Sequence, residues 1–185
     1  MGSEMCIRDR SKPAHPRALI LAPTRELATQ IHQRLHEPAA TLGLRVLAVV
    51  GGVNINHHIR SLARPVDVLV ATPGRAQDLI DQGKLHLDAV QITALDEADQ
   101  MADMGFLPQV RKLLRLTPAK GQRLLFSATL DGDVNKLVEQ FLHDPVVHST
   151  APVQAAVDSM SHHLFFVGER PARNEVCLLY TSPSP

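Results

Sequence analysis

The sequence predicts an α/β fold, a doubly wound domain built on a mostly parallel sheet. Three observations carry that prediction. Short apolar runs alternate with stretches whose apolar residues recur every three or four positions. Gly, Pro, Thr and Asp cluster where each apolar run stops. The 185 residues, 44% hydrophobic and 21% charged, suit one globular domain with a real core.

The elements follow in order. Residues 17–22 form an apolar strand, and Pro23-Thr24 breaks it and starts a helix. Leu27, Ile31 and Leu35 recur every four residues as one face of that helix. Pro38 is expected to end or kink it, and Gly43 to mark its close. Residues 44–50 are the next strand, stopped by Gly51-Gly52. Asn54 then suits the cap of a short helix reaching about residue 62. Arg64-Pro65 turns into a strand over 66–71. Thr72-Pro73-Gly74-Arg75 opens a helix ending near Gly83. The run 89–95 reads as a buried strand that delivers Asp96, Glu97 and Asp99 at its end. A helix restarts at 105–108 with Val110, Leu113 and Leu114 as its buried face. Residues 122–126 form a strand closed by Ser127-Ala128-Thr129. Asp131 caps a helix through about residue 142, and Asp144-Pro145 ends it.

Composition excludes several functions. No run approaches the roughly 18 apolar residues of a membrane span. The formal net charge is +0, so no global basic field advertises a polyanion, and any such partner needs local donors. With no Trp and one Tyr, stacking of bases on aromatic side chains is not the expected binding mode. Cys6 and Cys177 have no metal spacing, and no secretory signal is present, so a reducing cytoplasm is expected. His57-His58 and His162-His163 invite a metal reading, but adjacent histidines on a helix or strand point apart.

In a doubly wound sheet, ligands sit beyond the carboxyl ends of the strands. The chemically unusual residues all fall there. Three carboxylates within four residues suit a hard cation carrying phosphate oxygens. The competing reading is an acidic helix N-cap. Thr24 and Arg25 stand at one expected helix N-terminus, Thr72 and Arg75 at another, each with free amides that favour phosphate. Ordinary caps would explain either alone. Two such devices on one edge suggest a polyanion lying across it. Gly51-Gly52 reads equally as a tight turn, and Ser127 and Thr129 equally as a hydroxyl turn.

Taken together, PTRELA (23–28), GG (51–52), TPGR (72–75), DEAD (96–99) and SAT (127–129) resemble the DEAD-box family of ATP-dependent RNA helicases. The order matches, and the resemblance covers residues 18–176. The text around Gly51-Gly52 is similar to bacterial members of the RNA-helicase-E type, which act in ribosome assembly and RNA turnover. The resemblance implies a RecA-like sheet, ATP and Mg²⁺. Asp96 would coordinate Mg²⁺ through water, and Glu97 would position or deprotonate the hydrolytic water. Asp99 would contact Ser127 and Thr129 and link nucleotide state to domain closure. Pro23, Thr24, Arg25, Gly51, Gly52, Thr72, Pro73, Gly74 and Arg75 would line an RNA path on sugar–phosphate.

Departures shape the expectation. No G-x-x-x-x-G-K-[ST] loop occurs, and Gly83-Lys84 has the wrong surroundings. The expected layout is therefore a fragment with the P-loop strand missing. Residues 1–12 and 177–185 resemble translated adapter sequence. Residues 13–149 are the later part of the first RecA-like domain, 150–160 a linker and 161–176 the opening of a second domain. Such a fragment is expected to be inactive alone. Gln100, Ala102 and Ala76-Gln77 depart from the family pattern as surface or packing changes. A non-catalytic RNA-binding module and a related DNA helicase or ATPase remain the competing functions.

Overall fold

A computed structural model describes residues 11–130 and 132–149. The chain divides into two units, Met1–Pro145 and Val146–Pro185, and the first holds every described element. The Asp131 cap, the linker at 150–160, the second-domain start at 161–176, His162-His163 and both cysteines lie outside the described residues.

Five parallel strands form one sheet in the order β2-β3-β1-β4-β5. They are β1 (Ala18–Leu21), β2 (Val46–Val49), β3 (Val68–Ala71), β4 (Ile92–Leu95) and β5 (Gln122–Leu125). The helices are α1 (Arg25–Thr41), α2 (Ile55–Leu62), α3 (Pro73–Asp81), α4 (Ala98–Asp103), α5 (Leu107–Leu116) and α6 (Gly132–Phe141).

Handedness decides which face each helix covers. The chain steps from β1 outward to β2, then back through β3, β4 and β5. Right-handed crossovers put helices of opposite step direction on opposite faces. Accordingly α1 is the one described helix on its face, where Leu27, Ile31, Leu35 and Ala39 meet Val46, Val68 and Val70. The other face buries Leu62 of α2, Leu79 of α3, Met101 of α4, Leu113 of α5 and Leu137 of α6. A reversal of direction beside the central β1 opens crevices at the carboxyl edge.

The structure corrects three local expectations. Each strand is four residues long, shorter than its apolar run. In the run 89–95, Val90 is buried from a turn closed by its amide on the Leu87 carbonyl, and only Ile92–Leu95 pairs. Pro38 does not end α1, because the helix continues through it to Thr41. Pro38 and Arg34 are both exposed, so water can take the carbonyl that the missing N–H leaves free, and the Thr41 hydroxyl donates to the Pro38 carbonyl at 2.7 Å. Ala76 and Gln77 are buried, so that departure lies in the packing and not on the surface.

Candidate functional site

Parallel strands place all five motif loops at one edge of the sheet. They do not converge on one point. They form two clefts, one acidic and one rich in donors, with α4 and its exit turn contributing to both walls.

The acidic cleft, about 520 Å³, is lined by Asp96, Glu97, Asp99, Gln100, Asp103 and Ser127, among others. The backbone explains how its carboxylates are aimed. The Asp96 amide donates to the Leu21 carbonyl at 2.9 Å, and the Ala98 amide to Phe126 at 3.0 Å. Glu97 is caught between these anchors in a left-handed conformation, φ 50° and ψ 56°. A residue with a Cβ is strained there, and such strain concentrates at functional sites. Glu97 occupies the N-cap position of α4 yet makes no side-chain cap bond, which removes the acidic-cap explanation for it. Among the described residues, Asp96 accepts only from its neighbour's amide, Glu97 N to Asp96 Oδ1 at 3.1 Å. Neither carboxylate is in an ion pair among the described residues.

Asp99 also lines the cleft, but its Oδ2 is engaged by the Ser127–Thr129 loop. Its Oδ2 accepts from the Ala128 and Thr129 amides at 3.1 Å each, and from the Thr129 hydroxyl at 3.4 Å. Its own amide donates to Ser127 Oγ at 3.2 Å, and that hydroxyl donates to the Thr129 carbonyl at 2.6 Å. Burial works against the Asp99 charge, but the amides of Gln100, Thr129 and Ala128 outweigh it and hold the carboxyl below its ordinary range. The three acids therefore do not form one cluster, and no group of three or more His, Cys, Asp or Glu side chains among the described residues is disposed to hold a metal. Ser127 lines the cleft, whereas the exposed Thr129 is not part of its lining.

The second cleft is rich in donors, Thr24, Arg25, Gly51, Thr72, Gly74 and Arg75, and its wall also includes Pro23 and the carboxylates of Glu26 and Asp78. Thr24 caps α1, its Oγ1 accepting from the Leu27 amide at 3.2 Å. Arg25 is exposed, and its contact with Glu26 is loose at 4.0 Å. It lies against Gly52, whose φ of 74° and missing Cβ make room for the guanidinium. Gly52 thus supports the wall without lining it. Pro73 is also buried behind it, at the first turn of α3. Thr72 takes the N-cap position without a side-chain bond, so the expected hydroxyl cap is not formed. Apart from its chain neighbours and its own helix backbone, nothing described lies within 4 Å of where a Gly74 Cβ would stand, so the cleft is open at this point.

Arg75 departs most from its expected place. Its side chain is only 11% exposed. Nη1 donates to the Val53 carbonyl at 2.7 Å and to His58 Nδ1 at 2.9 Å, and Nε faces Asp78 at 3.7 Å. It braces the cleft more than it presents charge to it.

The motifs missed His58, Met104 and Phe106. Met104 and Phe106 give the donor cleft an apolar wall. His58 is 3% exposed, and burial, then Arg75, then His57 lower its pKa to about 4. Its phase on α2 was a usable signal, since His58 falls four residues before the buried Leu62. His57 is exposed, so the two histidines do point apart.

Sheet order and edge chemistry together define a RecA-like α/β domain whose functional groups project from its carboxyl edge. A family model described as DEAD/DEAH box helicase matches residues 4–137. The ATP-dependent RNA helicase RhlB of Pseudomonas aeruginosa is 47% identical over 155 residues, covering 82% of this chain and 39% of that protein. The RNA helicase CrhR of Synechocystis is 43% identical, covering 81% and 30%. Among solved structures, the yeast DEAD-box splicing factor Prp28 is similar with a TM-score of 0.66 and 34% identity, covering 69% of this chain and 31% of that one. A DEAD box protein from Methanococcus jannaschii gives a TM-score of 0.67, also at 34% identity, covering 73% and 37%. The chain belongs to the DEAD/DEAH box helicase family. It spans about two fifths or less of the length of the relatives it matches.

Proposed function

We propose that this chain supplies the hydrolytic edge and part of the RNA path of an ATP-dependent RNA helicase. One observation carries the reading: Asp99, Gln100 and Asp103 of α4 line the acidic cleft, and Met104 and Phe106 of its exit turn line the donor-rich one. A shift of α4 or of the loop tied to Asp99 would be felt in both. That is what coupling a nucleotide to a nucleic acid requires.

Glu97, strained and without a cap bond, is suited to accept the proton of an attacking water. Asp96 is half-buried, and only its Oδ1 is engaged by a hydrogen bond among the described residues. It offers hard oxygen to Mg²⁺ through water, as in a Walker B strand end. When bound, that ion would neutralise charge on the transferring phosphate. Asp99 holds the Ser127–Thr129 loop and so relays the state of the acidic cleft. In the donor-rich cleft, Thr24, Arg25, Gly51, Thr72 and Gly74 face sugar–phosphate, while Pro23, Gly52, Pro73 and Arg75 shape the surface they present. Backbone recognition of this kind reads no sequence.

RNA is the proposed polyanion, and the cytoplasm the proposed compartment. Ribosome-assembly or RNA-decay factors are the proposed partners. No helix among the described residues is long and apolar enough to cross a membrane.

In the intact protein that carries this segment, Glu97→Gln is expected to abolish RNA-stimulated ATP hydrolysis while leaving RNA binding in place. Wild-type turnover in that variant would overturn the assignment. A second reading, favoured by the donor-rich cleft alone, is a non-catalytic RNA-binding module. RNA binding that falls with salt and ignores ATP and Mg²⁺ would support it.

A further inference from the structure

His58 is the buried polar group on this edge with no task in the reading above. Two facts fix its chemistry. An arginine guanidinium has donors only, so the 2.9 Å contact with Arg75 Nη1 makes His58 Nδ1 the acceptor. The ring is therefore neutral, with its proton on Nε2. Its burial, with 3% exposed, keeps water from replacing it as Arg75's partner.

Arg75 is held from three sides. Val53, just past the Gly51-Gly52 turn, offers its carbonyl at 2.7 Å. His58 approaches from α2, and Asp78 stands one turn along α3. Of these, the carbonyl belongs to the β2–α2 turn and the imidazole to the helix behind it. Arg75 itself rides on the first turn of α3. The three together join the glycine turn to the α3 N-terminus. Arg25 leans on the same turn through Gly52.

We propose that His58 is a positioning residue of the donor cleft. As the buried acceptor for Arg75, it locks the glycine turn and the α3 N-terminus into one backbone-binding surface. This rests on the assignment of that cleft to RNA. His58 touches no ligand and acts only through Arg75. Without it, Arg75 keeps the Val53 carbonyl but loses the partner that fixes its rotation. The two donor-bearing segments then move independently.

The test uses the full 185-residue chain and a fluorescent oligouridylate, with anisotropy read at one fixed salt concentration. His58→Leu fills similar space and offers no acceptor. His58→Asn carries a carbonyl oxygen at about the reach of Nδ1. Loss of one charge-assisted hydrogen bond predicts about tenfold weaker RNA binding for His58→Leu, and recovery to within about twofold for His58→Asn. Equal binding by all three proteins, or equal loss in both variants, overturns the inference, because a role in packing alone would not distinguish acceptor from apolar bulk.

Nitrogen NMR of the RNA-free wild type at neutral pH supplies an independent arm. It is expected to show an unprotonated Nδ1 on His58 and a rotationally restricted Arg75 guanidinium. A protonated Nδ1 or a freely rotating guanidinium overturns the inference, and this arm decides if His58→Leu fails to fold. Failure of the wild-type chain to bind RNA while the NMR arm holds would fell the RNA assignment and leave the Arg75 clamp standing.

Discussion

The two edges of one sheet handle charge in opposite ways. At the amino edge, polar groups close on each other. Asp67 accepts from Ser11 Oγ at 3.1 Å, from Arg17 Nη2 at 2.8 Å and from the Arg45 amide at 2.9 Å. Arg45 Nη1 in turn donates to the carbonyls of Ser61, Arg64 and Pro65. At the carboxyl edge, Asp96 and Glu97 enter no ion pair among the described residues, and Arg25 has only a loose contact with Glu26. Asp67 is engaged from three sides at one end while Asp96 and Glu97 at the other are not, and the amino edge keeps one orphan of its own, the buried Nε of Arg17. The carboxyl edge also contains engaged charges, Asp99 and Arg75, the latter through Nη1 while its buried Nε lacks a hydrogen bond. They are the braces that hold the unsatisfied ones in place.

The strongest way to break this contrast is to open the amino edge. Asp67→Ala leaves Arg17 and the Arg45 amide without their acceptor in a largely buried site. Unfolding in urea is expected to show a loss of about 2–4 kcal/mol. RNA affinity per folded molecule should stay the same, since no cleft residue moves. The pH dependence follows from the same group. Burial opposes the Asp67 charge, but the Arg45 amide, Arg17 and Ser11 hold its carboxyl below the ordinary value. A depressed carboxyl contributes stability that is fully present above the unfolded pKa. That stability is lost as pH falls through the folded one. Wild type should therefore keep this stability at neutral pH and lose it below about pH 4, and Asp67→Ala should lack that acid limb.

Next in size is Gly52→Ala. The added Cβ meets the Arg25 guanidinium, and φ of 74° disfavours any side chain. A cost of about 1–2 kcal/mol is expected in thermal or urea unfolding. Unlike Asp67→Ala, this change should also weaken RNA binding, because Arg25 is pushed off its seat.

Smaller still, and opposite in sign, is Glu97→Gly. Glycine accepts the left-handed conformation that Glu97 endures, so the variant should gain about 0.5–1 kcal/mol. It should do so while removing the carboxylate proposed to take the proton of water. A stabilised protein with lost hydrolysis in the intact context would show that strain at this edge serves chemistry. A destabilised one would show that Glu97 makes a contact that matters to folding.

Much of this contrast was legible in the sequence, and the limits are physical. Apolar runs located β1 to β4 because buried parallel strands are apolar, and they located β5, which has no buried residue, from the run 122–126 and its Ser-Ala-Thr close. They overran the strand ends because apolar residues in turns, such as Val90, bury equally well. The five motif loops could be assigned to one edge because parallel connection leaves no other choice. Their separation into two clefts could not, since the separation depends on where α4 stands. Nor could the strain at Glu97, which comes from its neighbours' bonds to Leu21 and Phe126. A motif puts Arg75 beside Arg25 as a cation. Only tertiary packing shows that one is a brace and the other is free to bind.

That last distinction sets the smallest expected effect on stability and the most specific test of the cleft. Arg25→Gln removes an exposed charge whose nearest carboxylate is 4.0 Å away, so unfolding should change by no more than about 0.5 kcal/mol. If Arg25 meets a phosphate, its loss removes one counterion-releasing contact. The slope of log affinity against log salt should then flatten by about 0.7 for single-stranded RNA. Arg75→Gln predicts the reverse pattern, because that guanidinium faces Val53, His58 and Asp78. It should cost stability and weaken binding at every salt concentration, with the slope unchanged. Flattening by Arg75→Gln as large as that by Arg25→Gln would mean that the buried arginine reaches the phosphate after all, and the division into braces and binders would have to be redrawn.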